Sequence, residues 1–256
     1  MTLIVNVIGT GRKTGKTHLV RELLHRLQTH GFRVSTIKHI AEGSFDTKNK
    51  DTWLHLQAGA KQVAALSSNE LITIKRISSP SLHEALQLLS ENSDMILVEG
   101  FKTSEFPKIL VARNVREVDE LIQKTHNVIS ISGSILQELP KQSSYQGIPL
   151  LYPDAIVPLL IQQLHNQVIA RLPQLNCGNC GYDSCDQMAQ AIMNGKATIA
   201  QCNALSDQKV QLIVNGVSVN LSAFPAKYIY NTVLGMITAL HGATAPNKVT
   251  VELQVD

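Results

Sequence analysis

The chain has 256 residues, a formal net charge of +3, 44% hydrophobic residues and only 4% aromatic ones. That length holds one large domain or two or three smaller ones, with cores packed from aliphatic side chains. The charge is too small to argue for nucleic acid, no apolar run is long enough to cross a membrane, and no cationic stretch followed by an apolar one marks a signal peptide, so a cytoplasmic protein with reduced thiols is expected.

The first element is an apolar run, Leu3 to Ile8, that reads as a buried strand. It leads into Gly9-Thr10-Gly11-Arg12-Lys13-Thr14-Gly15-Lys16-Thr17-His18 and then into Leu19, Val20, Leu23, Leu24 and Leu27 at helical spacing. Strand, glycine-bearing loop ending Gly-Lys-Thr, then helix is the context of a phosphate-binding P-loop. Inward-turned backbone N–H groups and the helix N-terminus cradle polyanionic phosphate. Gly11 to His18 are the expected nucleotide contacts, with Lys16 on the β- and γ-phosphates and the Thr17 hydroxyl on Mg²⁺. The pattern departs from G-x-x-x-x-G-K-[ST] at Thr10, where glycine is usual, and Gly11 stands where partition ATPases carry an extra lysine. Arg12 and Lys13 either add charge for a phosphate or are solvated loop residues.

Gly31 is a plausible stop for this helix. Arg33 to Ile37 reads as a second strand, with Lys38-His39 at its C-terminal end, where open α/β sheets place ligands. A polar loop with Asp46 and Asp51 precedes a short helix from Thr52 to Ala60. Gln62–Leu66 and Leu71–Ile74 read as short strands, and Ser81 to Glu84 has capping-box spacing at the start of a helix through Leu89. Asp94-Met95-Ile96-Leu97-Val98-Glu99-Gly100 has the form of a Walker B strand with glutamate at its tip. Glu99 either holds Mg²⁺ or polarises an attacking water, or is a solvated strand end. Lys108–Ala112, Asn127–Ile131 and Ile148–Leu151 are expected to continue the strands, and Pro153 to His165 to close the domain as a helix. The alternation predicts an α/β domain over 1–170 with a mostly parallel sheet covered by helices.

Gly15-Lys16-Thr17, Thr36-Ile37-Lys38-His39, Asp46 to Asp51, Ala58-Gly59-Ala60, Ile96 to Lys102 and Pro107-Lys108-Ile109 occur in an order and spacing that resembles molybdopterin-guanine dinucleotide biosynthesis protein B, over about residues 1–160. The resemblance implies a GTP-binding P-loop protein, usually dimeric, with weak GTP hydrolysis at best. Such a protein assists a molybdopterin guanylyltransferase or a molybdoenzyme. GTP over ATP rests on the resemblance alone, because no Asn/Thr-Lys-x-Asp box reads guanine. It favours Lys38 and His39 near the nucleotide or pterin, against their being surface residues at a strand end. Asp46 and Asp51 are expected either in the magnesium shell with Thr17 and Glu99 or as turn residues, and Lys102 and Lys108 either on an anionic pterin phosphate or in solvent.

All four cysteines lie at 177–202, spaced C-x2-C-x4-C-x16-C as Cys177, Cys180, Cys185 and Cys202. Three thiolates on a glycine-containing loop suit three corners of a [4Fe–4S] cubane, and a helix from Asp186 to Asn194 brings Cys202 round as the fourth. A Cys₄ zinc site would show two C-x2-C knuckles, and only one is present. The stretch also resembles the four-cysteine [4Fe–4S] domain of the RnfB electron-transfer subunit and of corrinoid iron–sulfur proteins, through Cys-Gly-Tyr and Ala-x-Ala-Ile. A cluster domain is thus expected at 171–206. Beyond it, Gln211 to Leu221 carries an Asn-Gly hairpin signal. Pro225–Leu240 reads as a helix and Lys248–Val255 as a strand, giving a small α+β module over 207–256. The expected function is a GTP-binding, iron–sulfur accessory protein of molybdenum-cofactor maturation. The alternatives are a nucleotide-gated electron carrier and a metal- or cofactor-insertion protein.

Overall fold

A computed structural model describes residues 2–40, 46–77, 81–206, 210–215, 217–219, 221, 223–240 and 249–251. They form two compact units, 1–159 and 160–256.

In the first unit the elements run β1 (Leu3–Ile8), α1 (Lys16–Thr29), β2 (Val34–Lys38), α2 (Asp51–Gln57), β3 (Gln62–Leu66), β4 (Leu71–Lys75), α3 (Leu82–Ser90), β5 (Met95–Glu99), β6 (Lys108–Val111), α4 (Val115–Ile122), β7 (Val128–Ser132), α5 (Ile135–Glu138), β8 (Ser144–Tyr145), β9 (Ile148–Pro149) and α6 (Pro153–Ile169), the last of which runs on into the second unit. Five strands make one sheet in the order β2-β5-β1-β6-β7, and every pairing is parallel. Buried parallel strands carry continuous apolar runs, and here Val5, Val7, Ile8, Met95, Ile96, Leu97, Val98, Ile109 and Leu110 are fully buried.

Side chains alternate across a strand, so Ile4, Asn6 and Ile8 share one face of β1. Ile4 packs with Ile37, Ile96, Val98 and the α3 residues Leu82, Leu86 and Leu89. Ile8 packs with Leu110, Ile131 and the α4 and α5 residues Val118, Leu121, Ile135 and Leu136. Between these two clusters lie Asn6 and Lys108, which are register partners and fully buried. Helix α1 packs against β1, β2 and β5 and buries Leu19, Val20, Leu23 and Leu27.

The structure departs from the sequence reading in three places. Strands β3 and β4 pair antiparallel with each other and stand apart from the main sheet. The last expected strand is a two-residue β9 paired antiparallel to β8, with one parallel bridge from Ile131 to Leu150. Helix α4 was not expected, although Val115, Val118, Leu121 and Ile122 lie at helical spacing and pack on the core.

In the second unit, α7 (Cys185–Met193) follows the cysteine loop. A 3-10 turn, Ile199–Gln201, leads to α8 (Asn203–Ser206). Strands β10 (Leu212–Val214) and β11 (Val217–Val219) form the expected antiparallel hairpin, and α9 spans Ala223–Thr238. The strand expected at 248–255 lies mostly outside the described residues, and its described part, 249–251, has no regular structure.

Candidate functional site

The loop after β1 is shaped by two glycines. A Cβ on Gly9 would lie 2.5 Å from Thr14 Oγ1 and 2.9 Å from the Val111 carbonyl oxygen. Gly15 caps α1 with φ +96°, in a left-handed conformation that L side chains disfavour, and makes no side-chain cap bond. The first-turn N–H groups of α1 therefore have no capping side chain, which is the arrangement that receives an anion.

Thr10, the departure from the loop pattern, has a neighbour. Its side chain lies beside the Glu117 carboxylate of α4 and helps to keep it ionised. The same carboxylate accepts from the Arg113 backbone N–H at 2.8 Å and from Arg113 Nε at 2.7 Å, with a further bond from Nη2. The Arg113 guanidinium holds the Glu117 carboxyl below its ordinary range, against the opposing effect of burial.

Lys16 Nζ folds back on the Gly11 carbonyl at 2.6 Å and on Thr14 Oγ1 at 3.0 Å. Thr17 Oγ1 stands 3.0 Å from each carboxylate oxygen of Glu99, and Lys38 Nζ stands 3.5 Å from Glu99 Oε1. Lys102 Nζ donates to the Thr10 carbonyl at 3.1 Å. Burial lowers the Lys16 pKa; the Glu99 carboxylate opposes this, and the Lys102 and Lys38 ammoniums add to it. Lys16, Thr17, Lys38, Glu99 and Lys102 thus converge beyond the C-terminal ends of β1, β2 and β5, in the crevice where open α/β sheets bind ligands. His39 packs against Phe101 as a tilted ring pair, with centroids 4.6 Å apart and planes at 44°. Arg12, Lys13 and His18 are exposed on the loop and the first turn of α1.

Other expected residues have neighbours of their own. Asp51 opens α2, and Asp46 accepts from Thr52 Oγ1 at 2.7 Å, so both belong to the start of that helix. Lys108 is neither an anion ligand at the surface nor a solvated lysine. It is fully buried, and its ammonium donates to the Ser104 carbonyl and, at 3.1 Å, to the Phe106 carbonyl. Burial lowers its pKa, partly opposed by Glu105. Its register partner Asn6 went unnoticed in the sequence, although a lone amide in an apolar strand was a signal. Asn6 Nδ2 donates to the Gly100 carbonyl at 2.8 Å and the Phe101 carbonyl at 3.3 Å, and Oδ1 accepts from Ser104 Oγ at 2.9 Å. Arg113 and Glu117 were also missed; the Asn114-x-x-Glu117 cap spacing was their signal, and Asn114 Oδ1 does cap Glu117 N–H at 3.0 Å.

In the second unit all four cysteines are free thiols, and all four line one cavity together with Pro173 and Tyr182. Cys185 and Cys202 are buried, Cys177 and Cys180 half-buried. Asn176 Oδ1 accepts from the Cys185 N–H at 2.8 Å, and Asn203 Nδ2 donates to the Asn179 carbonyl at 2.7 Å, so side-chain amides fasten the loop on both sides. Burial pushes the Cys202 thiol up, backbone N–H groups of Leu205 and Ala204 oppose it, and Cys180 and Cys185 push it further up. Among the described residues no three His, Cys, Asp or Glu side chains converge to hold a single metal ion. A cubane takes one thiolate on each of four irons, and four thiols ringing a common cavity suit that donor set.

The sheet order, the glycine-shaped loop and the Lys16–Thr17–Glu99 cluster define an α/β protein of the P-loop nucleotide-binding class. A family model described as "Molybdopterin guanine dinucleotide synthesis protein B" matches residues 4–134, and one described as "Putative Fe-S cluster" matches residues 172–204. The chain belongs to the molybdopterin guanine dinucleotide synthesis protein B (MobB) family. It is 28% identical over 259 residues, 98% of this chain and 97% of the relative, to the "Putative molybdopterin-guanine dinucleotide biosynthesis adapter protein" of Methanocaldococcus jannaschii. The crystal structure of Bacillus subtilis MobB matches with 25% identity and a TM-score of 0.51, covering 63% of this chain and 97% of that one. A stretch of 52 residues is 40% identical to a subunit of the ion-translocating oxidoreductase complex of Azoarcus sp., covering 20% of this chain and 28% of the relative.

Proposed function

We propose that this chain is a GTP-binding adapter of molybdopterin guanine dinucleotide synthesis that carries one [4Fe–4S] cluster. The observation that carries the nucleotide reading is the meeting of Lys16, Thr17 and Glu99 at the mouth of the loop. The names of the full-length relative and of the family supply the pathway. Loop N–H groups and Lys16 hold the phosphates, with Arg12 and Lys13 adding charge at the rim. The Thr17 hydroxyl and the Glu99 carboxylate are hard oxygen donors 3.0 Å apart and suit Mg²⁺. Bound there, Mg²⁺ neutralises charge on the phosphate oxygens. Glu99 orients the attacking water in a slow hydrolysis. Lys38 and His39 border the same crevice and face the pterin or the nucleotide. A molybdopterin guanylyltransferase is the partner, and the working form is a homodimer.

The four thiolates of Cys177, Cys180, Cys185 and Cys202 hold the cluster, which supplies either a structural clamp or a one-electron centre. The likeness to a component of an ion-translocating oxidoreductase complex favours a second reading, nucleotide-gated electron transfer. Reversible reduction with a potential that moves on adding nucleotide would select it.

Calorimetric titration of the anaerobically purified chain with GTP or ATP, each with Mg²⁺, tests the first reading. Saturable binding that favours GTP is expected, with Lys16→Ala weakening it at least about tenfold through loss of a charge-assisted contact. Equal affinity in wild type and variant would remove the P-loop assignment.

A further inference from the structure

We infer that Lys102 is the specificity-determining residue that distinguishes a nucleoside triphosphate from a diphosphate, by binding the terminal phosphate from the loop after β5. The inference rests on the nucleotide-binding reading above and adds a residue and a selectivity to it.

The loop is built to present this side chain. Gly100 and Phe101, before Lys102, have their carbonyls bonded by Asn6. Ser104 and Phe106, after it, have theirs bonded by the buried Lys108 ammonium, and Ser104 also donates to Asn6. Both anchors lie inside the sheet, in register with each other. Lys102 is the exposed crest between two pinned segments, so its backbone is preorganised.

Its ammonium ends on the phosphate loop, at the Thr10 carbonyl. That carbonyl belongs to the residue after Gly9, where the loop packs tightly against Thr14 and the Val111 carbonyl. Lys102 therefore rests on a fixed but neutral acceptor. An anionic phosphate oxygen makes a bond roughly twice as strong and displaces it. The surroundings favour that exchange. Lys38 stands 3.5 Å from Glu99, Lys16 folds back on its own loop, and Glu117 is already paired with Arg113. Lys16, Lys38 and Lys102 thus gather at the mouth of the loop, and a polyanion balances their charge.

Geometry selects the terminal phosphate. The Thr17–Glu99 contact marks the metal edge of the site, where the terminal phosphate lies in a P-loop protein. Lys102 follows Glu99 by three residues from the same strand end, so it approaches from that edge. The loop N–H groups hold the inner phosphates and Lys16 reaches the β-phosphate as well as the terminal one, so a diphosphate keeps these contacts in large part. The loop lacks an extra lysine of its own at Gly11, and Lys102 supplies a second ammonium from a different element.

The test measures dissociation constants of the full chain for GDP and for the non-hydrolysable β,γ-imido analogue of GTP, each with Mg²⁺. In Lys102→Met the analogue is expected to bind about 10–100-fold more weakly, the span of one charge-assisted contact, while GDP changes by less than about twofold. Lys102→Arg should recover most of the lost affinity, which a merely structural role would not predict. Lys16→Ala should weaken both ligands. Equal weakening of both ligands by Lys102→Met, or no change in either, as for a lysine that serves a pterin phosphate, would overturn the inference and leave the nucleotide reading standing. A wild-type chain that bound neither ligand would overturn both.

Discussion

Thr10 stands where a P-loop has glycine, and its side chain lies beside the Glu117 carboxylate. The loop takes its tight approach one residue earlier, at Gly9. The substitution thus moves the close contact instead of abolishing it. Glu99 is the residue whose role is most sharply defined by neighbours, with Thr17 Oγ1 on both carboxylate oxygens. Glu99→Gln keeps the shape and removes the charge. It is expected to lower GTP hydrolysis by at least about tenfold while changing nucleotide affinity less, since general-base and water-orienting groups contribute about 10²–10⁴-fold. Phosphate release measured across a magnesium series checks this; an unchanged rate throughout would make Glu99 a strand-end residue only.

At the scale of elements, β2 and β5 are stitched at their N-terminal ends by Arg33 and Asp94. Asp94 accepts from the Arg33 backbone N–H at 2.8 Å and from its guanidinium at 2.7 Å. Burial of Asp94 would raise its pKa, but the bonds and charge of Arg33 together outweigh that and leave it lowered from 3.8. Stability from this pair is therefore present above about pH 4 and lost as pH falls through the lower folded value. Asp94→Asn should cost about 1 kcal/mol or less at neutral pH, because the Arg33 end of the pair is exposed, with the deficit closing as pH falls below about 4. Urea melts at several pH values read this out, and a deficit independent of pH would contradict the pairing. Lys108→Met should cost about 1–3 kcal/mol, the penalty for leaving the Ser104 and Phe106 carbonyls without their donor, and should raise hydrogen exchange at 100–106. A melt matching wild type would show that Asn6 alone holds the loop. The strands and α1 were legible because their periodicity is local. The fate of β3 and β4 was not, since an apolar run does not say which sheet it joins. Lys108 was illegible for a related reason: a lysine at a strand's first position reads as solvated until the crossing loop buries it. Helix α4 is only Val115–Ile122, about two turns long, and both its Asn114 cap and its stripe of Val115, Val118, Leu121 and Ile122 are short signals.

At the scale of the molecule, a P-loop unit and a four-cysteine unit share one chain. The thiols were legible as a set from spacing alone. The amide clamps from Asn176 and Asn203 were not, because each bonds backbone distant in sequence. Cys185→Ser should leave the P-loop unit's nucleotide affinity within about twofold, since separate sites without shared partners behave additively, while iron and labile sulfide fall. Native mass spectrometry of the anaerobically purified chain with GTP and Mg²⁺ weighs nucleotide and cluster in one spectrum. The predicted species carries one Fe₄S₄ core and one GTP per protomer, and the Lys16→Ala chain carries the cluster alone. A chain that carries zinc in place of iron and sulfide, or that takes up no nucleotide at saturating GTP, would contradict the account.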